Sequence, residues 1–64
     1  MPFEDLNQFK DKMVFIFVKN AGSMRGRIVG VERNGVYFDY MPFNDLIVKE
    51  KYFINTKYII YVSY

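Results

Sequence analysis

Two arginines lie two residues apart in the stretch MRGRIVGVERNGVYFDY, which runs from Met24 to Tyr40. In an extended segment, Arg25 and Arg27 point to the same side, where a pair of guanidinium groups can neutralise phosphates. The same pair is typical of a solvated strand face whose charges prevent edge-to-edge aggregation, and the residues alone favour this second interpretation.

A second polar cluster, Arg33-Asn34-Gly35, lies between two apolar runs of the same stretch. Asn-Gly in this position is the strongest short-range signal for a β-hairpin with a type I′ turn, and such a turn is a sufficient explanation of the cluster. The functional alternative is a hydrogen bond from Asn34 to a base edge, together with contact between Arg33 and phosphate.

Catalytic chemistry is not indicated by the residue types. The chain has no histidine and no cysteine, so the usual general base and His/Cys metal sites are missing. The serines, Ser23 and Ser63, have no activating base beside them in the sequence, and Glu32 and Asp39 across a hairpin are a weak signal. We expect a protein that is not an enzyme, without cofactor, metal or small-molecule substrate.

The composition describes one small domain, residues 1–64, with an excess of apolar side chains. A domain of this size buries only ~60% of its unfolded surface. Yet 52% of the residues are hydrophobic and 20% are aromatic. Because disulfides are excluded, self-association is the remaining source of stability, and part of the apolar surface should meet a partner.

The charge and the hydropathy pattern set further limits. A net charge of +2 is mild for a protein that binds nucleic acid. No apolar run approaches the ~20 residues of a membrane span, and the N-terminus lacks the pattern of a signal peptide. We therefore expect a soluble, cytoplasmic protein without membrane contact.

Residue periodicity predicts one short helix and five strands. Pro2 suits a first helical position, and Phe3, Leu6 and Phe9 form an apolar stripe, which indicates a helix over about residues 3–10. The run MVFIFV indicates a strand buried on both faces. The strands are expected at about residues 13–19, 24–33, 36–41, 46–54 and 58–63.

The connections between these strands are short, and Asn55-Thr56-Lys57 forms the last of the turns. Gly26 and Gly30 fall within the second strand, where they suit a bend, a bulge or a close approach of backbones. A helix followed by five closely connected strands predicts a mainly β fold, a small antiparallel barrel.

This arrangement resembles the Sm-like (LSm) family, including its bacterial Hfq branch, whose fold is a strongly bent SH3-like barrel. The first Sm motif is matched by VFIFVKNAGSMRGRIVGVE, in which Asn20 and Glu32 each lie six residues from Gly26. The second motif keeps its frame in FINTKYIIYV but has Asn55-Thr56 where the family has Arg-Gly.

The resemblance implies a ring that binds single-stranded RNA without catalysis. In the family, the loops after strands two and four form a nucleotide pocket at the pore, and strand four pairs with strand five of the next subunit. The positions here that fall in those loops are Arg33, Asn34, Asn55 and Lys57. Asn34 would read a base edge, Arg33 would stack or pair with phosphate, and Lys57 would supply a cation. Arg25 and Arg27 would form a second, purely electrostatic surface.

Two other functions fit the same residues. An SH3-like module, monomeric or dimeric, could bind DNA or a protein partner. A structural oligomer could use the same fold without nucleic acid, which the departure at Asn55-Thr56 favours. The six tyrosines could stack on bases, but strands select aromatic residues in any case, and packing explains most of them.

Overall fold

The computed structural model of the chain describes residues 3–64, with side chains from Leu6 onward. It consists of a five-stranded antiparallel sheet preceded by a short 3-10 helix, which confirms the predicted mainly β class and the number of strands. No helix in the described part is long and apolar enough to cross a membrane. The elements are the 3-10 helix Phe3–Phe9, β1 Met13–Val18, β2 Gly22–Glu32, β3 Gly35–Tyr40, β4 Glu50–Asn55, a second 3-10 helix Thr56–Tyr58, and β5 Ile59–Ser63.

The strand order in the sheet is β4-β3-β2-β1-β5. The first four strands pair with their neighbours in sequence, and β5 then crosses to pair with β1. β4 and β5 are therefore the two edges of an open sheet. Within residues 3–64 it is neither closed nor strongly curled into a barrel.

One face of the sheet, the core face, carries the buried side chains. In β1 and β3 they come from alternating positions, as the two-residue period of a strand requires. In β5 the buried residues Ile59 and Val62 are three positions apart, because the register between β1 and β5 shifts between them. Leu6 and Phe9 of the first 3-10 helix are buried with them, so this helix packs on its own sheet. The other predicted helix positions, Pro2 and the side chain of Phe3, lie outside the described residues. The buried strand residues of the core cluster are Val14, Ile16, Val18, Ile28, Val36, Phe38, Ile54, Ile59 and Val62.

The opposite face, called the outer face below, is open to solvent. The prediction that β1 is buried on both faces is therefore wrong for the single chain. Ile16 is fully buried on the core face, whereas Phe15 on the outer face is 42% exposed. The reason is that no second layer covers the outer face in the described part of the chain.

A β-bulge in β2 changes which side chains reach the core. The register with β3 shifts between Ile28 and Gly30, which leaves Val29 exposed and without a partner in β3. Simple alternation places Val31 on the outer face beside Arg27. Because of the bulge, Val31 instead lies opposite Val36 and packs against the core.

The fourth strand begins later than the sequence predicts, at Glu50 instead of residue 46. β3 ends at Tyr40, which lies opposite Glu50, so no strand is available to pair with the preceding segment. Leu46 in that segment is 90% exposed. High β propensity does not form a strand where the neighbouring strand has ended.

Candidate nucleic-acid interface

The two predicted binding loops meet at one end of the sheet. The carbonyl of Asn34 accepts a hydrogen bond from the Thr56 backbone N–H at 3.0 Å and another from the Thr56 hydroxyl at 3.4 Å. Gly35 also lies opposite Asn55 in the ladder between β3 and β4. The side chains predicted to contact RNA in these loops, Arg33, Asn34, Asn55 and Lys57, therefore come from adjacent segments.

The connection after β4 is a 3-10 helix, where the sequence predicts a simple turn. The side-chain oxygen of Asn55 accepts a hydrogen bond from the Lys57 backbone N–H at 3.0 Å, which caps this helix. The cap fixes the position of Asn55. Its amide nitrogen remains as the group that could donate to a ligand.

Two of the predicted site residues, Arg33 and Lys57, are positively charged and exposed. The Lys57 Nζ lies 5.1 Å from the centre of the Tyr58 ring, within the range of a cation–π interaction. With Asn34, also exposed, these residues form a group of donors that can contact phosphate oxygens or the edges of bases.

An open groove of about 460 Å³ lies next to these loops, between the ends of β1 and β4. The Lys19 backbone N–H donates to the Tyr58 carbonyl there at 2.7 Å. Of the predicted site residues, Asn55 alone lines the groove. Sequence reasoning missed Lys19 and Tyr58, because their proximity depends on β5 returning to pair with β1. The lining residues are Val18, Lys19, Phe53, Ile54, Asn55 and Tyr58.

Arg25 and Arg27 both lie on the outer face, opposite Phe15 and Met13 of β1, as alternation predicts. At ~3.3 Å per residue, the six residues from Arg27 to Arg33 span about 20 Å along β2. On this spacing the pair lies away from the two loops, and a separate electrostatic surface stays a prediction.

The guanidinium group of Arg25 is engaged within the chain. It forms an ion pair with Asp45 and donates a hydrogen bond to the Met41 carbonyl at 2.9 Å. These contacts hold the loop between β3 and β4 against β2. The Asp45 carboxylate offsets the charge of Arg25, which leaves Arg27 as the stronger candidate of the pair for contact with phosphate.

Among the side chains that the structure describes, from Leu6 onward, no three carboxylates lie together in a group that could hold a metal ion. Neither a scan against protein-family models nor searches of curated proteins and of solved structures finds a match for the chain. The resemblance to the Sm-like family therefore depends on the motif residues and their spacing.

Proposed function

We propose that the chain is an Sm-like subunit that assembles into a ring and binds single-stranded RNA without catalysis. The observation that carries the proposal is the pair of hydrogen bonds from Thr56 to the Asn34 carbonyl. Through this contact Arg33 and Asn34 lie beside Asn55 and Lys57. Amide and cationic side chains presented on loops are suited to unpaired bases and phosphates.

The two edge strands support self-association. In the described chain, β4 and β5 each pair on one side only, so each presents a row of backbone groups to the outside. Large side chains are exposed along both, with Tyr52 on β4 and Ile60 on β5. Pairing β4 of one subunit with β5 of the next is a head-to-tail contact, which forms a ring when the rotation from one subunit to the next closes on itself.

In the proposed ring, each subunit would take the Sm-type form, in which the sheet bends strongly into an SH3-like barrel, a curvature beyond that of the single chain described above. Every subunit contributes the same loop site. Weak contacts repeated around the ring then act together on one RNA strand, and the affinity of the ring exceeds that of any single site.

A structural oligomer without RNA is the second candidate function. The loop between β3 and β4 favours it, because Phe43, Leu46 and Ile47 are exposed there and have no part in the proposed RNA site. Side chains of this kind are commonly covered by another protein surface.

The test is a titration of a fluorescein-labelled single-stranded RNA oligonucleotide with wild type, Asn34→Ala and Lys57→Ala, followed by fluorescence anisotropy. Each substitution removes a donor from the site, so the affinity should fall about tenfold, roughly the effect of losing 1–2 kcal/mol. Lys57→Ala should also reduce the slope of log affinity against log salt concentration by about 0.7.

The matched control is Lys10→Ala, which removes the same charge from an exposed residue at the end of the first 3-10 helix. Its affinity should equal that of the wild type, and light scattering should give one mass for all four proteins. Equal RNA affinity for Asn34→Ala, Lys57→Ala and wild type would reject the loop site.

A further inference from the structure

Two aromatic side chains lie on the outer face directly beside the loop site. Tyr37 of β3 is opposite Phe53 of β4, with ring centres 5.0 Å apart and 59° between the ring planes. Each residue is 47% exposed. Two positions along the same strands lie Gly35 and Asn55, which belong to the loop site. We call Tyr37 and Phe53 the aromatic platform.

Two glycines define where these rings lie. Gly30 is opposite Tyr37, and a Cβ at Gly30 would approach the Tyr37 ring to 3.2 Å. A Cβ at Gly35 would overlap the ring of Phe53. Each ring therefore lies close to the main chain at a position where a larger residue would displace it. About half of each residue remains exposed to solvent.

The next row of the outer face carries more positive than negative charge. Lys51, Asp39 and Arg27 lie opposite one another on β4, β3 and β2, which places two cations and one carboxylate beside the platform. Aromatic rings next to cations suit a strand that has both bases and phosphates. A second copy of this chain carries a net charge of +2, so it would complement this positively charged row less well than RNA would.

We propose that the aromatic platform is a base-stacking site for the RNA strand held at the loop site. The strand then continues from Asn34 and Asn55 over Phe53 and Tyr37, and its phosphates pass the cations of the next row. This inference depends on the proposed function and adds a contact of different chemistry. Stacking accepts every base, so the platform contributes affinity without sequence preference.

The experiment uses the full chain and a single-stranded RNA oligonucleotide that contains the fluorescent base 2-aminopurine. Tyr37→Leu and Phe53→Leu keep an apolar side chain and remove the ring. Each should weaken binding by about fivefold to a hundredfold and reduce the quenching of 2-aminopurine that stacking causes. Tyr37→Phe and Phe53→Tyr keep the ring and should retain the wild-type affinity.

The matched control is Phe15→Leu, which removes an exposed ring from the same outer face on β1, away from the loops. Its affinity should be unchanged. Wild-type affinity in Tyr37→Leu and Phe53→Leu would reject the platform. If Asn34→Ala and Lys57→Ala bind RNA weakly in the same assay, the loop site is supported even though the platform is rejected.

Three further outcomes also test the platform and the loop site. If the leucine variants of the platform lose mass in light scattering but keep their RNA affinity, this face contacts another subunit and the platform is rejected. A wild-type protein with no affinity for the oligonucleotide rejects both the loop site and the platform. Weak binding in the platform variants alone would mean that RNA stacks on the rings without being held by the loops, which rejects the loop site and the proposed path of the strand between them.

Discussion

Gly26 is the residue at which the sheet leaves least room for a side chain. It lies opposite Val14 of β1 and Tyr40 of β3, and a Cβ at this position would overlap the Asp39 carbonyl and lie 2.7 Å from the Phe38 ring. The sequence allows a bend, a bulge or a close backbone approach at this glycine, and the structure shows the close approach, to the backbone of β3.

Gly26→Ala should lower the free energy of unfolding by about 1–3 kcal/mol, because the added methyl group must displace backbone or a buried ring. Urea denaturation followed by circular dichroism measures this change. Ser23→Ala, at an exposed position of the same strand, should stay within about 0.5 kcal/mol of the wild type. Equal urea midpoints for Gly26→Ala and wild type would show that β3 can move aside at no cost.

The face on which Arg25 lies can be predicted from the sequence, but its ion pair cannot. Alternation along β2 correctly places Arg25 and Arg27 on one face of the strand. The ion pair from Arg25 to Asp45 joins residues that are 20 positions apart, and it depends on the path of the loop after β3. That path is fixed locally by Asn44, whose side-chain oxygen accepts from the Leu46 and Ile47 backbone N–H groups at 2.7 and 3.1 Å.

Among the elements, the first 3-10 helix contributes to the core in spite of its short length. Leu6 and Phe9 are three residues apart, so in a helix with three residues per turn they lie on the same side. Both are buried. The apolar stripe is thus predictable from sequence, whereas the 3-10 geometry differs from the ordinary amphipathic helix that the spacing indicates.

Leu6→Ala should destabilise the fold by about 2–5 kcal/mol, because it removes a fully buried side chain and leaves a cavity. The matched control is Leu46→Ala, the same chemical change in the exposed segment before β4. It should alter the unfolding free energy by no more than about 0.5 kcal/mol. Chemical denaturation of the three proteins provides the comparison, and similar midpoints for both variants would contradict the helix packing described above.

Some strand boundaries follow from the local sequence, and others depend on how a strand pairs with its neighbour in the sheet. Apolar runs and turn residues predict β1, β3 and β5 to within two residues. The start of β4 depends on where β3 ends, and the bulge at Val29 depends on how β2 and β3 register with each other. The late start of β4 leaves no signal in the residues concerned, since Leu46-Ile47-Val48 has the composition of a strand. The bulge does have a signal, because Gly30 is one of the two glycines at which the sequence allows a bend, a bulge or a close approach.

At the scale of the whole molecule, the surface has more apolar area than one chain can cover. The exposed residues include side chains on the outer face, on both edges and in the loop after β3. The sequence indicates this excess through composition alone. It does not show which surfaces carry the excess, because that depends on the strand order and on β5 pairing with β1.

Light scattering should give the wild type a mass of several subunits at both low and high salt, since the proposed contact is formed by strand edges and apolar side chains. Ile60→Lys should reduce this mass, because Ile60 lies on the β5 edge and is 61% exposed. Circular dichroism should show an unchanged β spectrum.

Ile47→Lys introduces the same charge at an exposed isoleucine outside the edge strands and should leave the mass unchanged. A monomeric wild type at both salt concentrations would exclude the ring. In that case, an SH3-like module that acts as a monomer becomes the better description of the protein.

The hydrogen-bonded contact between the two loops has a consequence for how ligand binding at the proposed site could evolve. It is made by the main-chain carbonyl of Asn34, a group that every amino acid carries. If the loops bind RNA as proposed, substitutions at Arg33, Asn34 or Lys57 would alter what they bind while this hydrogen-bonded contact persists. Libraries randomised at these three positions should yield mostly folded proteins. Among related sequences, the ligand preference of the proposed site should therefore change faster than the fold.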